Sequence, residues 1–297
     1  MKRYLNVNIP QAIRQFEIAI KKTVVTRIIG QYKSIFRGRG LEFDRYVPYN
    51  PSDDAVRIDW KASARANELL MKEYVEERDL QIFFLIDVSN SMVFGSTPKL
   101  KNEYTLEISA ALANFMLKEG DRVGFALFNE RVIKEKMPVA GTRQLHFLVK
   151  TLLDPDIYGG NFDLDNALKS LTGRLSGSIA LLIIFSDFIG SRNWARSLKI
   201  LSQKFEIIGV MVSDPRDRNM PQLSQQIVLE DPYSGKTLLV DPSLVKEAYE
   251  KYARAQQQQI KEIFMQAKAD FVMIPTEKSF VGPLVDFFKQ RVRKRWR

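Results

Sequence analysis

The sequence contains no cysteine and a single histidine, His146, among its 297 residues. Without thiols the chain can form no disulfide, thiol nucleophile, zinc ribbon or iron–sulfur site. With one histidine, a Ser-His-Asp triad would have to use His146, and a metal site built from several histidines is excluded. Any metal ion would therefore have oxygen ligands, which favour a hard cation such as Mg²⁺.

Long apolar runs are also missing from the sequence. The longest uninterrupted run is seven residues, from Ile179 to Phe185, whereas a helix that crosses a bilayer needs about 20. The N-terminus begins with a basic pair but has no apolar stretch of signal-peptide length. We therefore expect no transmembrane segment and a cytoplasmic location.

Acidic residues are scarce at both ends of a chain whose net charge is +10. Residues 1–40 hold nine Lys and Arg against one Glu, and residues 291–297 hold five basic residues and no acid. The part between these ends is close to neutral, unlike a uniformly basic nucleic-acid binder. The basic ends allow peripheral contact with an anionic surface, or they are simply solvated. We expect no sequence-specific recognition of nucleic acid.

The first quarter of the chain divides into two segments of different composition. Apolar residues recur at helical spacing over residues 9–36, which predicts an amphipathic helical segment within residues 1–36. This segment either packs on its own domain or lies on a membrane. Residues 37–79 are rich in glycine, proline and charge and predict a small β-rich flank, with strands near 41–47 and 68–76.

From residue 80 onward, apolar strands alternate with helices of about 10–15 residues. This order predicts an α/β domain over residues 80–276, with a doubly wound, mostly parallel sheet and helices on both faces. The continuous apolar strand that begins at Ile179 indicates burial on both faces. A hairpin is expected around Ser234 and Gly235, and residues 277–297 are predicted to form a C-terminal helix and a basic tail.

Oxygen-bearing side chains follow two of the predicted central strands. Asp87 ends the first strand and is followed by Ser89 and Ser91, and Asp187 follows the later apolar strand. Ligands bind at the carboxyl ends of the strands in doubly wound sheets. Two carboxylates and two hydroxyls could therefore converge there on one small cation.

These residues carry a resemblance to known families. Asp87, Ser89 and Ser91 form an Asp-x-Ser-x-Ser motif that resembles the metal-ion-dependent adhesion site of von Willebrand factor type A domains, and Asp187 resembles the second Asp of that site. The upstream residues 37–65, RGRGLEFDRYVPYNPSDDAVRIDWKASAR, are similar to the bacterial family called domain of unknown function fifty-eight. In that family such a stretch precedes an A domain, so the resemblance implies a von Willebrand A-like fold.

The resemblance implies a non-enzymatic, metal-dependent protein-interaction module. Mg²⁺ or Mn²⁺ would be held weakly by Asp87, Ser89, Ser91 and Asp187, and an acidic residue of a client or partner would complete the coordination. Proteins of this family are commonly encoded beside MoxR-type AAA+ ATPases, which implies an adaptor or co-chaperone that works with such an ATPase. The chain itself has no Gly-x-x-x-x-Gly-Lys-Ser/Thr motif for ATP.

One position departs from the pattern of the adhesion site. The family usually supplies a Thr from a Gly-Gly-Thr loop, and that slot falls here on Phe162, which cannot ligate a metal. Asn161 is a neighbouring candidate ligand. Asp163 is another, unless its side chain caps the helix that follows. The missing Thr favours weak metal binding.

Two other functions stay open at this stage. A metal-dependent phosphohydrolase or nuclease could use Asp87, but phosphatases of this kind need a second Asp two residues later, where this chain has Ser89. Binding of RNA or an anionic membrane through the basic ends is the other alternative, although the ends carry no recognisable stacking motif.

Two conspicuous residues are interpreted as structural rather than functional. Trp60, in the Ile58-Asp59-Trp60 segment, is expected to be a buried anchor whose N–H finds a partner. His146 lies in a predicted helix and is expected to be structural or exposed.

Overall fold

The computed structural model describes residues 5–22, 42–50, 56, 58–75, 80–175 and 177–295. These residues form two compact units, one from residues 1–35 and 80–297 and one from residues 36–79. The second half of the predicted N-terminal helical segment, residues 23–36, lies outside the described residues, as does the end of the basic tail.

The helices and strands of both units are numbered in chain order. They are α1 (Ile9–Lys22), β1 (Glu42–Pro48), α2 (Trp60–Ala66), β2 (Leu70–Val75), β3 (Gln81–Asp87), α3 (Lys101–Lys118), β4 (Arg122–Phe128), β5 (Val132–Val139), α4 (Thr142–Leu152), α5 (Leu164–Thr172), β6 (Ile179–Ser186), α6 (Ala195–Leu201), β7 (Glu206–Ser213), β8 (Ile227–Glu230), β9 (Thr237–Val240), α7 (Pro242–Gln266), β10 (Asp270–Pro275) and α8 (Val281–Arg295).

The larger unit is built on a six-stranded sheet with the strand order β10-β7-β6-β3-β4-β5. All neighbouring strands run parallel except β4 and β5, which are antiparallel. The central strands β3 and β6 are buried along almost their whole length, which explains why their sequences are continuously apolar. The predicted doubly wound, mostly parallel α/β sheet is confirmed.

Two layers of helices cover the sheet. Helices α1, α4 and α8 pack on or beside α3 in one layer, and α5, α6 and α7 pack in sequence in the other. Along β3, Phe83 and Leu85 join the core formed with Leu164, Leu198 and Phe264, while the alternate residues are buried on the opposite face. In the part of the chain that the structure describes, the helices lack the combination of length and apolarity that a membrane span requires.

Helix α3 is buried on nearly all sides, including its acidic residues. The segment before α1 supplies hydrogen-bond donors to both acidic side chains of α3. The backbone N–H groups of Asn6 and Asn8 donate to Glu103 Oε1 and Glu107 Oε1, each at 2.7 Å. The following helix α1 packs Phe16 edge-on against Phe115, with 6.0 Å between the ring centroids. The predicted amphipathic helix therefore packs on its own domain over its described residues.

The smaller unit pairs β1 and β2 as an antiparallel ladder. Helix α2 begins after Asp59, whose Oδ1 accepts the backbone N–H groups of Lys61 at 3.0 Å and Ala62 at 3.1 Å. Trp60 is 69% exposed, so the expectation of a buried anchor was wrong. The helix is only seven residues long, and the residue that it buries is Ser63.

In the larger unit His146 is exposed on α4.

A hairpin stands apart from the main sheet. Strands β8 and β9 form a two-stranded antiparallel sheet, and the loop between them contains Ser234 and Gly235, as predicted. The loop is closed by Asp231, whose carbonyl accepts the N–H of Gly235 at 2.9 Å, and Gly235 has a positive φ of 67° that suits glycine. Val228, Leu238 and Leu239 on its strands are all exposed.

Candidate binding site at the carboxyl ends of β3 and β6

The parallel pairing of β3 and β6 brings two sequence-predicted carboxylates to the same edge of the sheet. Ile86 lies beside Phe185 in the ladder, so Asp87 ends its strand next to Ser186 and the following Asp187. The Ser186 hydroxyl donates to Asp87 Oδ2 at 2.6 Å, and all three side chains are buried. The two strand ends are thus joined directly by a hydrogen bond.

The loop after β3 places the two serine hydroxyls beside Asp87. The backbone N–H of Ser89 donates to Asp87 Oδ1 at 2.8 Å, and the chain then enters a short 3₁₀ turn over Asn90–Val93. This turn brings the hydroxyl oxygens of Ser89 and Ser91 to 3.4 Å from each other, and both residues are buried. The spacing of two residues therefore does gather the three side chains at one spot.

The negative charge at this edge is concentrated. Burial, together with the nearby charge of Asp187, raises the pKa of Asp87 to about 7, and hydrogen bonds from Ser186 and Ser89 oppose this rise only in part. Two carboxylates that share a buried site disfavour each other's ionisation. A cation at this edge would relieve that repulsion.

The sequence analysis missed a buried lysine that already supplies one positive charge. Lys101, the first residue of α3, is 1% exposed and places Nζ 2.6 Å from Asp187 Oδ2. The same Nζ lies 3.1 Å from both carboxylate oxygens of Asp217, in the turn after β7. Burial alone would lower the pKa of Lys101, but the charges of Asp187 and Asp217 outweigh it and raise the pKa above its usual range.

The Gly-Gly loop lies against the backbone of the motif rather than supplying a hydroxyl. Gly159 donates its N–H to the Val88 carbonyl at 2.8 Å, and Asn90 donates to the Gly160 carbonyl at 3.0 Å. A Cβ at Gly160, whose φ is +83°, would lie 2.8 Å from the Asn129 amide nitrogen. The positive φ suits glycine, and a side chain at this position would meet the Asn129 side chain rather than the motif.

The three residues after this loop have partners outside the cluster of Asp87, Ser89, Ser91 and Asp187. Phe162 is buried in the core, with its ring centroid 6.0 Å from that of Phe128. The side chain and backbone N–H of Asn161 both donate to Glu130 Oε1, at 2.8 and 3.1 Å. Asp163 Oδ1 accepts the Asn166 N–H at 2.9 Å, so this carboxylate caps α5, the alternative that the sequence left open.

A second residue that sequence reasoning missed comes from the β8–β9 hairpin. The Tyr233 hydroxyl donates to the Ile189 carbonyl at 2.6 Å. Burial and the charges of Asp187 and Asp87 raise the pKa of Tyr233 above its usual range, while hydrogen bonds with the Ser91 and Ser89 hydroxyls oppose that rise. Tyr233 belongs to no motif in the sequence, and only the folded hairpin brings it here.

The donor set suits a hard divalent cation. Asp87, Ser89, Ser91 and Asp187 offer carboxylate and hydroxyl oxygens, the ligand type that Mg²⁺ prefers. Lys101 contacts Asp187 and Asp217, and Asp87 adds a third carboxyl group at the same edge of the sheet, so carboxyl groups outnumber this ammonium. The described residues contain no cluster of three or more histidine, aspartate or glutamate side chains arranged to hold a metal. Binding here would therefore depend on serine hydroxyls and water as well as carboxylates.

Comparison with protein families adds to this geometry. Residues 45–259, more than half of the chain, match the family described as "Protein of unknown function DUF58". The chain belongs to the DUF58 family. The resemblance inferred from the upstream motifs and the Asp-x-Ser-x-Ser sequence is thus confirmed.

A mycobacterial relative and two solved structures are similar to this DUF58 chain. The uncharacterized protein Rv1480 of Mycobacterium tuberculosis is 26% identical over 286 residues, which cover 95% of this chain and 89% of the relative. An aerotolerance-related membrane protein from Bacteroides fragilis is similar in structure, with a TM-score of 0.50 and 15% identity over 72% of this chain and 99% of its own. The SpRpn10 VWA domain has a TM-score of 0.41 and 11% identity, over 72% of this chain and 95% of its own.

Proposed function

We propose that this DUF58 protein is a metal-dependent protein-interaction module whose strand-end site binds an acidic side chain of another protein. The observation that carries the proposal is the convergence of buried Asp87, Ser89 and Ser91 with Asp187 at one edge of the sheet. Mg²⁺ or Mn²⁺ at these oxygens would supply the positive charge that a partner's carboxylate recognises. The chain's own contribution is to fix the four side chains before any partner arrives.

The surroundings of Asp87 favour binding over catalysis. A general base must reach the proton that it removes, but both oxygens of Asp87 already accept hydrogen bonds, from Ser186 and from the Ser89 backbone. The residue two positions after Asp87 is Ser89, which cannot act as the acid of a phosphatase. These features count against a phosphohydrolase or nuclease, and we propose that the protein is not an enzyme.

For the partner, we propose an AAA+ ATPase of the MoxR type, or a client protein that such an ATPase remodels, with an Asp or Glu that reaches the site. This part of the proposal rests on the resemblance to the family and on the acidic-ligand chemistry of a bound cation. We further propose that the complex forms in the cytoplasm and that the basic ends add non-specific attraction to anionic surfaces.

The test is a calorimetric titration of the purified chain with a candidate ATPase in the presence of Mg²⁺. Asp87→Ala and EDTA should each weaken binding at least tenfold, which corresponds to about 1.4 kcal/mol. Asp286→Ala is the matched control, because this carboxylate is exposed on α8 and pairs only loosely with Lys289, at 3.5 Å. Unchanged affinity with both Asp87→Ala and EDTA would rule out a metal bridge.

A further inference from the structure

The β8–β9 hairpin reaches the candidate site through the side chain of Tyr233. Its hydroxyl donates to the Ile189 carbonyl at 2.6 Å. The N–H of the same residue, Ile189, donates to Asp187 Oδ1 at 2.9 Å. Tyr233 therefore contacts the peptide segment that also holds one of the two site carboxylates.

The cluster acts electrostatically on the phenol of Tyr233. Burial and the charges of Asp187 and Asp87 raise its pKa, and the Ser91 and Ser89 hydroxyls oppose that rise. The four site side chains are themselves no more than 2% exposed, so a ligand from outside reaches them only if part of the surrounding chain moves. Tyr233, bonded to the Ile189 carbonyl, belongs to the part of the chain beside them.

The loop of the hairpin is shaped to present this side chain. Asp231 Oδ1 accepts the backbone N–H of Tyr233 at 3.0 Å, and Asp231 Oδ2 accepts the Ser234 hydroxyl at 2.5 Å. The Tyr233 ring packs against the core on the α5–α7 side of the sheet. The strands on either side expose their apolar residues Val228, Leu238 and Leu239 to solvent, so the Tyr233 ring is the main apolar contact that lifting of the hairpin would break.

We propose that Tyr233 is a residue of the binding site, and that its hydroxyl holds the position that a partner's carboxyl group takes when the hairpin is displaced. This inference rests on the proposed function, because it assumes that the cluster receives an external ligand. The hairpin is then an internal cover, and a ligand binds with an apparent affinity reduced by the fraction of closed molecules.

Tyr233→Phe isolates the hydroxyl, because phenylalanine keeps the ring that packs on the core. Removing the hydroxyl removes one ordinary hydrogen bond that holds the hairpin closed. The net free energy of such a bond corresponds to about a three- to tenfold change in affinity, so Mn²⁺ binding should tighten by that factor. Tyr252→Phe is the matched control, since Tyr252 is exposed on α7. Calorimetric titration with Mn²⁺ alone measures the affinities, and thermal unfolding verifies that each variant is folded.

A second readout follows the hairpin itself. The chain has no cysteine, so Lys236→Cys in the exposed hairpin loop accepts a single fluorescent label. Fluorescence anisotropy of this label should fall when Tyr233→Phe is added, and also when saturating Mg²⁺ is added to the otherwise unchanged chain. Both changes together would show that the cover opens.

The outcomes separate this inference from the proposed function. If Asp87→Ala abolishes Mn²⁺ binding while Tyr233→Phe leaves the affinity unchanged or weaker, the metal site stands and the cover is disproved. If the phenylalanine variant binds Mn²⁺ tightly and the wild type binds weakly or not at all, both are supported. If no variant binds Mn²⁺, the metal-dependent function fails and the competition proposed for Tyr233 fails with it.

Discussion

Asp87 and Asp187 end adjacent strands and are both buried, yet their surroundings differ in charge. Asp87 accepts hydrogen bonds from neutral groups, the Ser186 hydroxyl and the Ser89 N–H. Asp187 accepts from the ammonium of Lys101 at 2.6 Å. The β6 end of the site is therefore compensated from within the protein, whereas the hydrogen-bond partners of Asp87 in the described part of the chain include no basic side chain. A site with one compensated and one uncompensated carboxylate can be stable when empty and still attract a cation.

Removing the Lys101 ammonium should remove the difference between the two carboxylates, and we expect it to have the largest effect on stability. Lys101→Met keeps the length of the side chain but leaves Asp187 and Asp217 buried without their ammonium. Breaking a buried ion pair from one side typically costs about 3–5 kcal/mol, and we expect a loss of that size in the free energy of unfolding. Urea denaturation without metal measures it.

Lys118→Met is the control for the lysine substitution. Lys118 pairs with Glu17 on the surface, with the lysine side chain 60% exposed, and such pairs contribute about 0–1 kcal/mol. If Lys101→Met lowers stability no more than this control does, the ammonium is not what compensates Asp187. Partial rescue of the Lys101 variant by Mg²⁺ would show that a divalent cation can replace it.

The second largest effect is expected in the pH dependence of the free energy of unfolding, to which Asp87 should contribute. The pKa of Asp87 is about 7 in the folded protein and about 3.9 for an unfolded aspartate. The folded state therefore holds a proton that the unfolded chain releases, and the free energy of unfolding falls as pH rises from about 4 to about 7, by up to about 1.4 kcal/mol per pH unit. Urea denaturation across this range measures the slope.

Asp87→Asn cannot titrate, so it should remove this contribution to the slope. Mg²⁺ at pH 8 should raise the stability of the wild type and leave the Asp87→Asn variant nearly unchanged. Asp286→Asn, at an exposed position on α8, should behave as the wild type does. Identical slopes for the wild type and Asp87→Asn would mean that Asp87 is ionised throughout and that its charge is balanced by a group inside the protein.

Arg291, like Lys101, pairs with two carboxylates, but its partners are more exposed. Its removal should therefore lower the free energy of unfolding less than removal of Lys101 does. Its guanidinium pairs with Glu206 at 2.5 Å and with Asp270 at 2.8 Å, and both carboxylates are partly exposed. We expect Arg291→Ala to cost about 1–2 kcal/mol, between the values for exposed and buried pairs. Truncation after Arg291 should cost less than this in thermal or urea unfolding. An equal loss would show that residues 292–297 also stabilise the fold.

The smallest effect is expected in the unit of residues 36–79. Trp60 is exposed, so Trp60→Ala should change the free energy of unfolding by no more than about 0.5 kcal/mol. Circular dichroism during thermal unfolding measures this. A large loss of stability would mean that the indole is packed in solution, whereas weaker partner binding with unchanged stability would make Trp60 a contact residue.

The site could be predicted from the sequence where strand geometry decides it. Parallel strands deliver their carboxyl ends to one edge, so Asp87 and Asp187 had to be neighbours, and the spacing of Ser89 and Ser91 was enough to add both hydroxyls. Lys101 and Tyr233 could not be found in this way. A lysine at the start of a helix and a tyrosine in a hairpin loop are common on protein surfaces, and only the three-dimensional fold buries them beside the carboxylates.

The error at Trp60 has a different physical origin. A large aromatic residue is expected to be buried because it gains most from leaving water, but burial needs enough surrounding structure. A seven-residue helix beside a two-stranded ladder encloses little volume, and it is the small Ser63 that is buried there. Composition predicts burial well for the six-stranded unit and poorly for a unit of this size.

The contacts of Asn6 and Asn8 with α3 have a consequence for synthesis of the chain. Their glutamate partners lie 97 and 99 residues later in the sequence. Translation at about 5–20 residues per second separates the two by roughly 5–20 seconds. During that interval the segment that contains Asn6 and Asn8 has been synthesised without the helix on which it will dock. During co-translational folding, this segment can therefore dock only after α3 has left the ribosome.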